Sequence, residues 1–318
     1  MKVVFMGTPE FAVATLDAIC QSEHEVAAVV TVPDKPAGRG LKLRASAVKE
    51  YASAHNLTVL QPEKLKSEEF LAQLRAINAD IFVVVAFRML PEVVYAMPRL
   101  GTFNVHASLL PNYRGAAPIH WAIMNGETRT GVTTFFLNQQ IDTGDIIAQT
   151  EIEIGPKETT GELYDRLMKC GAQLALDTLD KIEKGAVTPQ PQNQIDEASL
   201  KPAPKIFKED TFIDWNDTAV NIFNKIRGLN PAPCACTRLQ KKNGATEILK
   251  IYEAEIVDKA NEDAKPGEFC VELPNLLTIS AKDRAISIKN LQLQGKTRLC
   301  ISDFLRGFHF KNYTNILF

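Results

Sequence analysis

Apolar and polar positions follow two different patterns along this chain. Over the first hundred residues, short apolar runs alternate with amphipathic stretches. Residues 2–6 (KVVFM), 25–32 (EVAAVVTV) and 81–87 (IFVVVAF) read as strands. The third is apolar almost throughout, as a strand covered on both faces should be. Between them, residues 9–20, 45–55 and 67–78 place apolar residues at helical spacing, with Ala12, Leu16 and Ile19 on one stripe. Thr8 and Pro9 stand where an N-cap and a first helical residue are expected. Strands alternating with helices predict parallel βαβ units with helices on both faces of one sheet.

The pattern then changes. Residues 103–108 (FNVHAS), 131–137 (GVTTFFL) and 145–154 (DIIAQTEIEI) read as strands, with little helix between the last two. Residues 159–185 predict a long helix, opened by a capping box of Thr159 and Glu162 and stopped at Gly185. Residues 186–206, rich in Pro, Gln and Asn, read as a linker. Beyond it come one helical stretch, 216–229, and short strands at 234–239, 247–257, 268–273, 276–282 and 285–294. Charged or Gly/Pro/Asn turns separate these strands, and the spacing predicts a small β-barrel. The expected division is therefore 1–185, a linker over 186–206, and 207–318. No internal repeat is visible.

Composition narrows the class. The 318 residues are 45% hydrophobic and 23% charged, as in a soluble globular protein. No apolar run approaches the ~20 residues of a membrane helix. The first apolar run is too short for a signal peptide, so the cytoplasm is the expected location. The six cysteines suggest neither a disulfide ladder nor a CxxC knuckle, and the five histidines are scattered, so no metal is expected. The net charge of −2 conceals an asymmetry: residues 201–318 carry +4 and the remainder −6. That is a weak pointer to a polyanionic partner. Neither GxxxxGK[ST] nor GxGxxG occurs, which removes the two commonest nucleotide fingerprints.

Three places carry candidate chemistry. Asn104 and His106 lie two apart at a strand end, so they share one face. They precede a loop, SLLPNYRGAAP, whose small residues allow close approach. A strand-end histidine is often only structural, but the carboxyl ends of parallel strands are where α/β sheets build sites. Asp142 sits in QQIDTGDII, which by itself reads as a turn. Residues 33–44 form a basic loop with Lys35, Arg39, Lys42 and Arg44, read equally well as a solvated connection or an anion grip.

A resemblance spans nearly the whole chain. MKVVFMGTPEFAV, PDKPAGRG, NVHASLLPNYRGAAPI, IDTGDII, FIDW, KIRGLNPAP and DFLRG occur in that order. Together they resemble the 10-formyltetrahydrofolate-dependent formyltransferases, and within them the branch that acts on methionyl-tRNA. The resemblance implies an α/β fold: a Rossmann-like N-terminal formyltransferase domain and a C-terminal OB-like β-barrel that helps hold tRNA. It carries catalytic roles onto Asn104, His106 and Asp142. It places folate near Phe87, Arg88, Met89 and Leu90, and near Ser108, Leu109, Leu110 and Pro111. It places the tRNA acceptor end near Lys35, Arg39, Lys42 and Arg44, with Arg39 the foremost contact. The implied donor is 10-formyltetrahydrofolate and the implied partner is methionyl initiator tRNA, with no metal, no membrane and a monomeric chain. AFRMLP departs from the family's more usual AYGxxLP, and NPAPCAC from NPWPGA. A formyltransferase acting on a small amine, such as a sugar nucleotide or glycinamide ribonucleotide, would keep the three polar residues but have no use for FIDW to DFLRG. A non-catalytic RNA-binding protein on the same scaffold would be expected to lose one of the three, and none is lost.

Overall fold

The computed structural model describes residues 1–37, 42–192, 197–257, 265–308 and 310–317. Up to the long helix, the elements in chain order are β1 (Lys2–Gly7), α1 (Glu10–Cys20), β2 (Glu25–Val30), β3 (Lys35–Ala37), β4 (Lys42–Arg44), α2 (Ala47–Ala54), β5 (Val59–Leu60), α3 (Glu68–Ile77), β6 (Ile81–Val85), α4 (Glu92–Tyr95), β7 (Thr102–His106), α5 (Pro118–Met124), β8 (Arg129–Phe136), β9 (Ile146–Glu153) and α6 (Thr160–Glu183). Seven strands form one sheet in the order β5-β2-β1-β6-β7-β8-β9. The first five are parallel, and β8 and β9 add antiparallel at one side. This is the expected Rossmann-like arrangement with an antiparallel extension.

The apolar runs explain the centre of that sheet. Val3, Val4, Phe5 and Met6 of β1 are fully buried, and every residue of β6 is buried. The predicted stripe of α1, Ala12, Leu16 and Ile19, is wholly buried as well. Register aligns the strand ends: Gly7 pairs with Val85, and Val85 with Val105. The connections that leave β1, β6 and β7 therefore emerge side by side on one edge.

Two local readings are corrected. Thr8 does not cap α1; Pro9 occupies the N-cap position, and no side chain bonds there. Residues 33–44 are not an open loop throughout, since Lys35 pairs with Arg44 and Pro36 with Leu43 in an antiparallel hairpin. Alternation over three-residue arms is too short to register as a strand pattern.

The chain divides into two units, each built from three segments. The first comprises 1–118, 129–153 and 164–203, and the second 119–128, 154–163 and 204–318. The second unit contains α7 (Ala219–Gly228), β10 (Ala235–Lys241), β11 (Thr246–Val257), β12 (Phe269–Glu272), β13 (Leu276–Ser280), β14 (Ala285–Leu293), β15 (Leu299–Cys300), α8 (Ile301–Gly307) and β16 (Tyr313–Leu317). Its antiparallel sheet runs β12-β13-β14-β11-β10-β16, with β15 beside β14, an OB-like arrangement. Alternation along β11 and β14, with a shift of register between Ile251 and Ala254, sends Leu249, Ile251, Ile286, Ile288 and Leu291 into one core with Ile222 and Ile226 of α7. The Trp of FIDW, Trp215, is fully buried there and donates Nε1–H to Thr237 Oγ1 at 3.0 Å. In KIRGLNPAP, Arg227 is buried and donates to the carbonyls of Gly155 and Glu158 and to Asn224 Oδ1. No helix among the described residues is long and apolar enough to cross a membrane.

The capping box on α6 is present in full. Thr159 N–H donates to Glu162 Oε2 at 2.8 Å, and Glu162 N–H donates to Thr159 Oγ1 at 3.3 Å. The Thr159 backbone bond, then its hydroxyl, holds the Glu162 carboxyl below the usual carboxylate range. A lowered folded-state value contributes stability above the unfolded value and loses it as pH falls through the folded one. Thr159→Ala is expected to cost about 1 kcal/mol at neutral pH by urea denaturation. That cost should shrink as pH is lowered through the carboxylate range; a pH-independent cost would contradict the reciprocal box.

Candidate active site

His106 ends β7 and is 7% exposed. Its Nε2 lies 2.8 Å from the Tyr113 carbonyl oxygen. A carbonyl only accepts, so Nε2 carries the proton in every state that keeps this bond. Nδ1 is then the nitrogen that gains or loses a proton. It lies 3.8 Å from Asp142 Oδ2, within ion-pair range but longer than a hydrogen bond. That same Oδ2 accepts Gly115 N–H at 2.9 Å, which fixes the carboxylate's direction.

Asn104 stands two residues earlier on the same face, opposite Phe135 in register. Its Oδ1 is buried without a hydrogen-bond partner. Buried polar atoms are nearly always paired, so an orphan amide oxygen beside an imidazole and a carboxylate fits a polar ligand with a hydrogen to donate to it.

Asp142 does not arrive from the edge where β7 ends. Strand β8 runs antiparallel, and Leu137 N–H bonds to Thr102 O, at the beginning of β7. The turn then folds back over the face that carries Asn104 and His106. Asp142 adopts φ +55°, a left-handed conformation uncommon for a residue with a side chain. Gly144 makes the fold-back feasible: a Cβ there would meet Phe136 O at 1.6 Å. The turn reading of DTGD is thus correct, and the turn also delivers a carboxylate.

The loop after β7 is ordered by residues that carried no sequence signal. Thr133, opposite His106 on β8, accepts Leu110 N–H at 3.1 Å and donates to Ser108 O at 2.7 Å. Gln149 donates to both Thr133 Oγ1 and Leu110 O. Only pairing across β7, β8 and β9 brings these together, and no spacing rule along the chain could have found them.

Family models match at both ends of the chain: formyl transferase over residues 1–179, and formyl transferase, C-terminal domain, over 205–309. The curated methionyl-tRNA formyltransferase of Bacteroides fragilis is 49% identical over 310 residues, covering 97% of this chain and 95% of its own. That of Flavobacterium johnsoniae is 50% identical over 316 residues, with 99% of each chain covered. The chain belongs to the methionyl-tRNA formyltransferase family. Solved structures of other formyltransferases share the fold. An N-formyltransferase from Helicobacter canadensis, in complex with folinic acid and dTDP-3-aminofucose, matches with a TM-score of 0.64 at 22% identity, over 91% of this chain and 98% of its own. HypX from Aquifex aeolicus, in complex with tetrahydrofolic acid, matches at 0.63 and 19% identity, over 96% of this chain and 47% of the much longer HypX.

Within this formyltransferase, Asn104, His106 and Asp142 come together, and the other sequence-derived residues sort by exposure. Phe87, Arg88, Met89 and Leu90 follow β6 on the edge where β7 ends. Met89 is 65% exposed and Leu90 is buried. The Arg88 guanidinium donates to the carbonyls of Pro62 and Glu63 and stands 5.4 Å from the Phe87 ring centroid. Ser108 and Leu110 are buried, and the Ser108 hydroxyl donates to Asn112 O, whereas Leu109 and Pro111 are partly exposed. Lys35 and Arg44 are exposed at the base of the β3–β4 hairpin, and Lys42 begins β4. Arg39 lies outside the described residues.

Gly144→Ala should force the turn away from Phe136 and carry Asp142 with it. A fall of several degrees in melting temperature is expected, together with a shift of the His106 ring resonances in NMR. Unchanged values of both would contradict this account of the turn.

Proposed function

We propose that this chain transfers the formyl group of 10-formyltetrahydrofolate to the free amino group of methionyl initiator tRNA, giving N-formylmethionyl-tRNA for translation initiation. The observation that carries the reading is the meeting of Asn104, His106 and Asp142 on one face, in a chain half identical to curated methionyl-tRNA formyltransferases along its length. The relatives' name supplies the amine, and the tetrahydrofolate in the HypX structure supports a folate donor.

Direct attack of the amine on the formyl carbon forms a C–N bond and breaks the bond to N10 of the donor. No side-chain nucleophile is required. Negative charge develops on the formyl oxygen. The Asn104 amide and a protonated His106 Nδ1 can both donate to it, each worth about 3 kcal/mol if positioned for the transition state. The amine must lose a proton as N10 gains one. The Asp142 carboxylate attracts an Nδ1 proton and can orient a water that carries the amine proton toward the leaving nitrogen. The Phe87–Leu90 and Ser108–Pro111 turns flank the ends of β6 and β7, and we assign the folate to that edge.

The basic residues fit the other substrate. Lys35, Arg39, Lys42 and Arg44 would meet the acceptor end, and the +4 balance of residues 201–318 suits backbone phosphates. Arg39 sits between two glycines, so its backbone can approach a nucleotide closely and its guanidinium can take a phosphate or stack on a base.

Asn104→Ala and His106→Ala should each lower kcat on methionyl-tRNA by about a hundredfold or more with little change in melting temperature. Near wild-type turnover in either variant sinks the assignment. A wild-type chain that formylates a small amino sugar nucleotide faster than methionyl-tRNA would replace the substrate.

Arg39→Leu should reduce kcat/KM for methionyl-tRNA well beyond Lys35→Leu while donor binding stays intact. Equal, mild effects that vanish with added salt would make the hairpin a source of nonspecific charge only.

A further inference from the structure

The catalytic turns are not anchored by the sheet alone. Tyr113 and Gly115, in the turn after β7, orient His106 and Asp142; Asp142 itself sits at the crest of the turn after β8. Two further stretches of the first unit, residues 190–192 and 201–203, bond to these turns, although their composition reads as a linker.

Gln190 and Ile146 exchange backbone bonds, each N–H to the other's carbonyl at 2.8 Å. At the far end, Tyr113 N–H donates to Lys201 O at 2.6 Å, Ala203 N–H to Arg114 O at 2.9 Å and Ala117 N–H to Ala203 O at 3.2 Å. The approach is close enough that a Cβ on Gly115 would lie 2.4 Å from Ala203 O. Between these ends stands Gln192, 5% exposed. Its Nε2 donates to Asp142 O at 3.2 Å and Gly144 O at 2.6 Å. Its Oε1 accepts from Arg114 Nε at 3.2 Å and Nη2 at 2.8 Å.

A primary amide suits this place because it accepts at one end and donates twice at the other. A carboxylate could serve Arg114 but would face two carbonyl oxygens with no proton to give. An alkyl side chain could serve neither. Gln192 thus joins the turn that holds Gly115 and Tyr113 to the turn that presents Asp142. It does so at a left-handed aspartate, which needs its surroundings to hold it.

We propose that Gln192 is a positioning residue for formyl transfer, the centre of a strap, made by the contacts of residues 190–192 and 201–203, that sets the separation of His106 and Asp142. The proposal rests on the assignment of those two residues to the reaction above. Gln192 touches no reacting atom and acts through the backbone of Asp142.

The test uses the full chain with methionyl-tRNA and 10-formyltetrahydrofolate. Gln192→Ala and Gln192→Glu should each lower kcat tenfold or more and leave both KM values within twofold of wild type. Gln192→Glu keeps the volume and the Arg114 contact, so it decides the matter if Gln192→Ala does not fold. On an Asp142→Ala background, Gln192→Glu should cost less than twofold further, since the residue it acts through is gone. A Gln192→Glu enzyme with kcat within twofold of wild type, or a full tenfold loss on the Asp142→Ala background, overturns the strap and leaves the assigned reaction standing. A wild-type chain without formyl transfer overturns both.

Discussion

A backbone carbonyl accepts hydrogen bonds and never donates them, and that asymmetry decides what His106 can do. With Nε2–H committed to Tyr113 O, the only nitrogen that exchanges a proton is Nδ1. Nδ1 faces the Asp142 carboxylate at 3.8 Å and shares its face with Asn104. Much else in the first unit serves this bond. The turn after β7 must place Tyr113 beneath the ring, and Thr133 and Gln149 order that turn from the neighbouring strands. Gly115 must lie where its N–H meets Asp142 and where no Cβ would fit against Ala203. The ring cannot rotate without losing its partner.

The parts legible in the sequence are those set by local periodicity. Near-continuous apolar runs identified β1 and β6, the helical stripe identified α1, and Thr159 with Glu162 announced α6. Period two alone put Asn104 and His106 on one face. The parts that were not legible depend on contacts distant in sequence. Nothing in DTGD tells that its turn leaves beside Thr102 and folds back over the sheet. Nothing in a Pro- and Gln-rich stretch tells that Gln192 is buried against Asp142 and Arg114. In the second unit, α8 and β16 escaped because seven and five residues are too few for periodicity to emerge, and their aromatic content suits either state.

The motifs divide by physical role. NVHAS and IDTGD supply Asn104, His106 and Asp142, the groups to which the proposed reaction is assigned. FIDW and KIRGLNPAP, although they helped single out the family, are spent inside the second unit. Trp215 fills its core, and Arg227 satisfies carbonyls of residues 155 and 158. Any contact of that unit with nucleic acid must come from its surface. The assignment of tRNA to it rests on net charge, and that of Arg39 on its setting between two glycines.

The orientation of the His106 ring is the most direct thing to measure. Nitrogen-15 NMR of the ring, in the full chain labelled at histidine, distinguishes the two nitrogens and follows each with pH. Nε2 is expected to keep its proton throughout, with any exchange of the ring proton confined to Nδ1. A neutral ring protonated on Nδ1, with Nε2 titrating, would break the bond to Tyr113 O and remove the oxyanion role assigned to Nδ1.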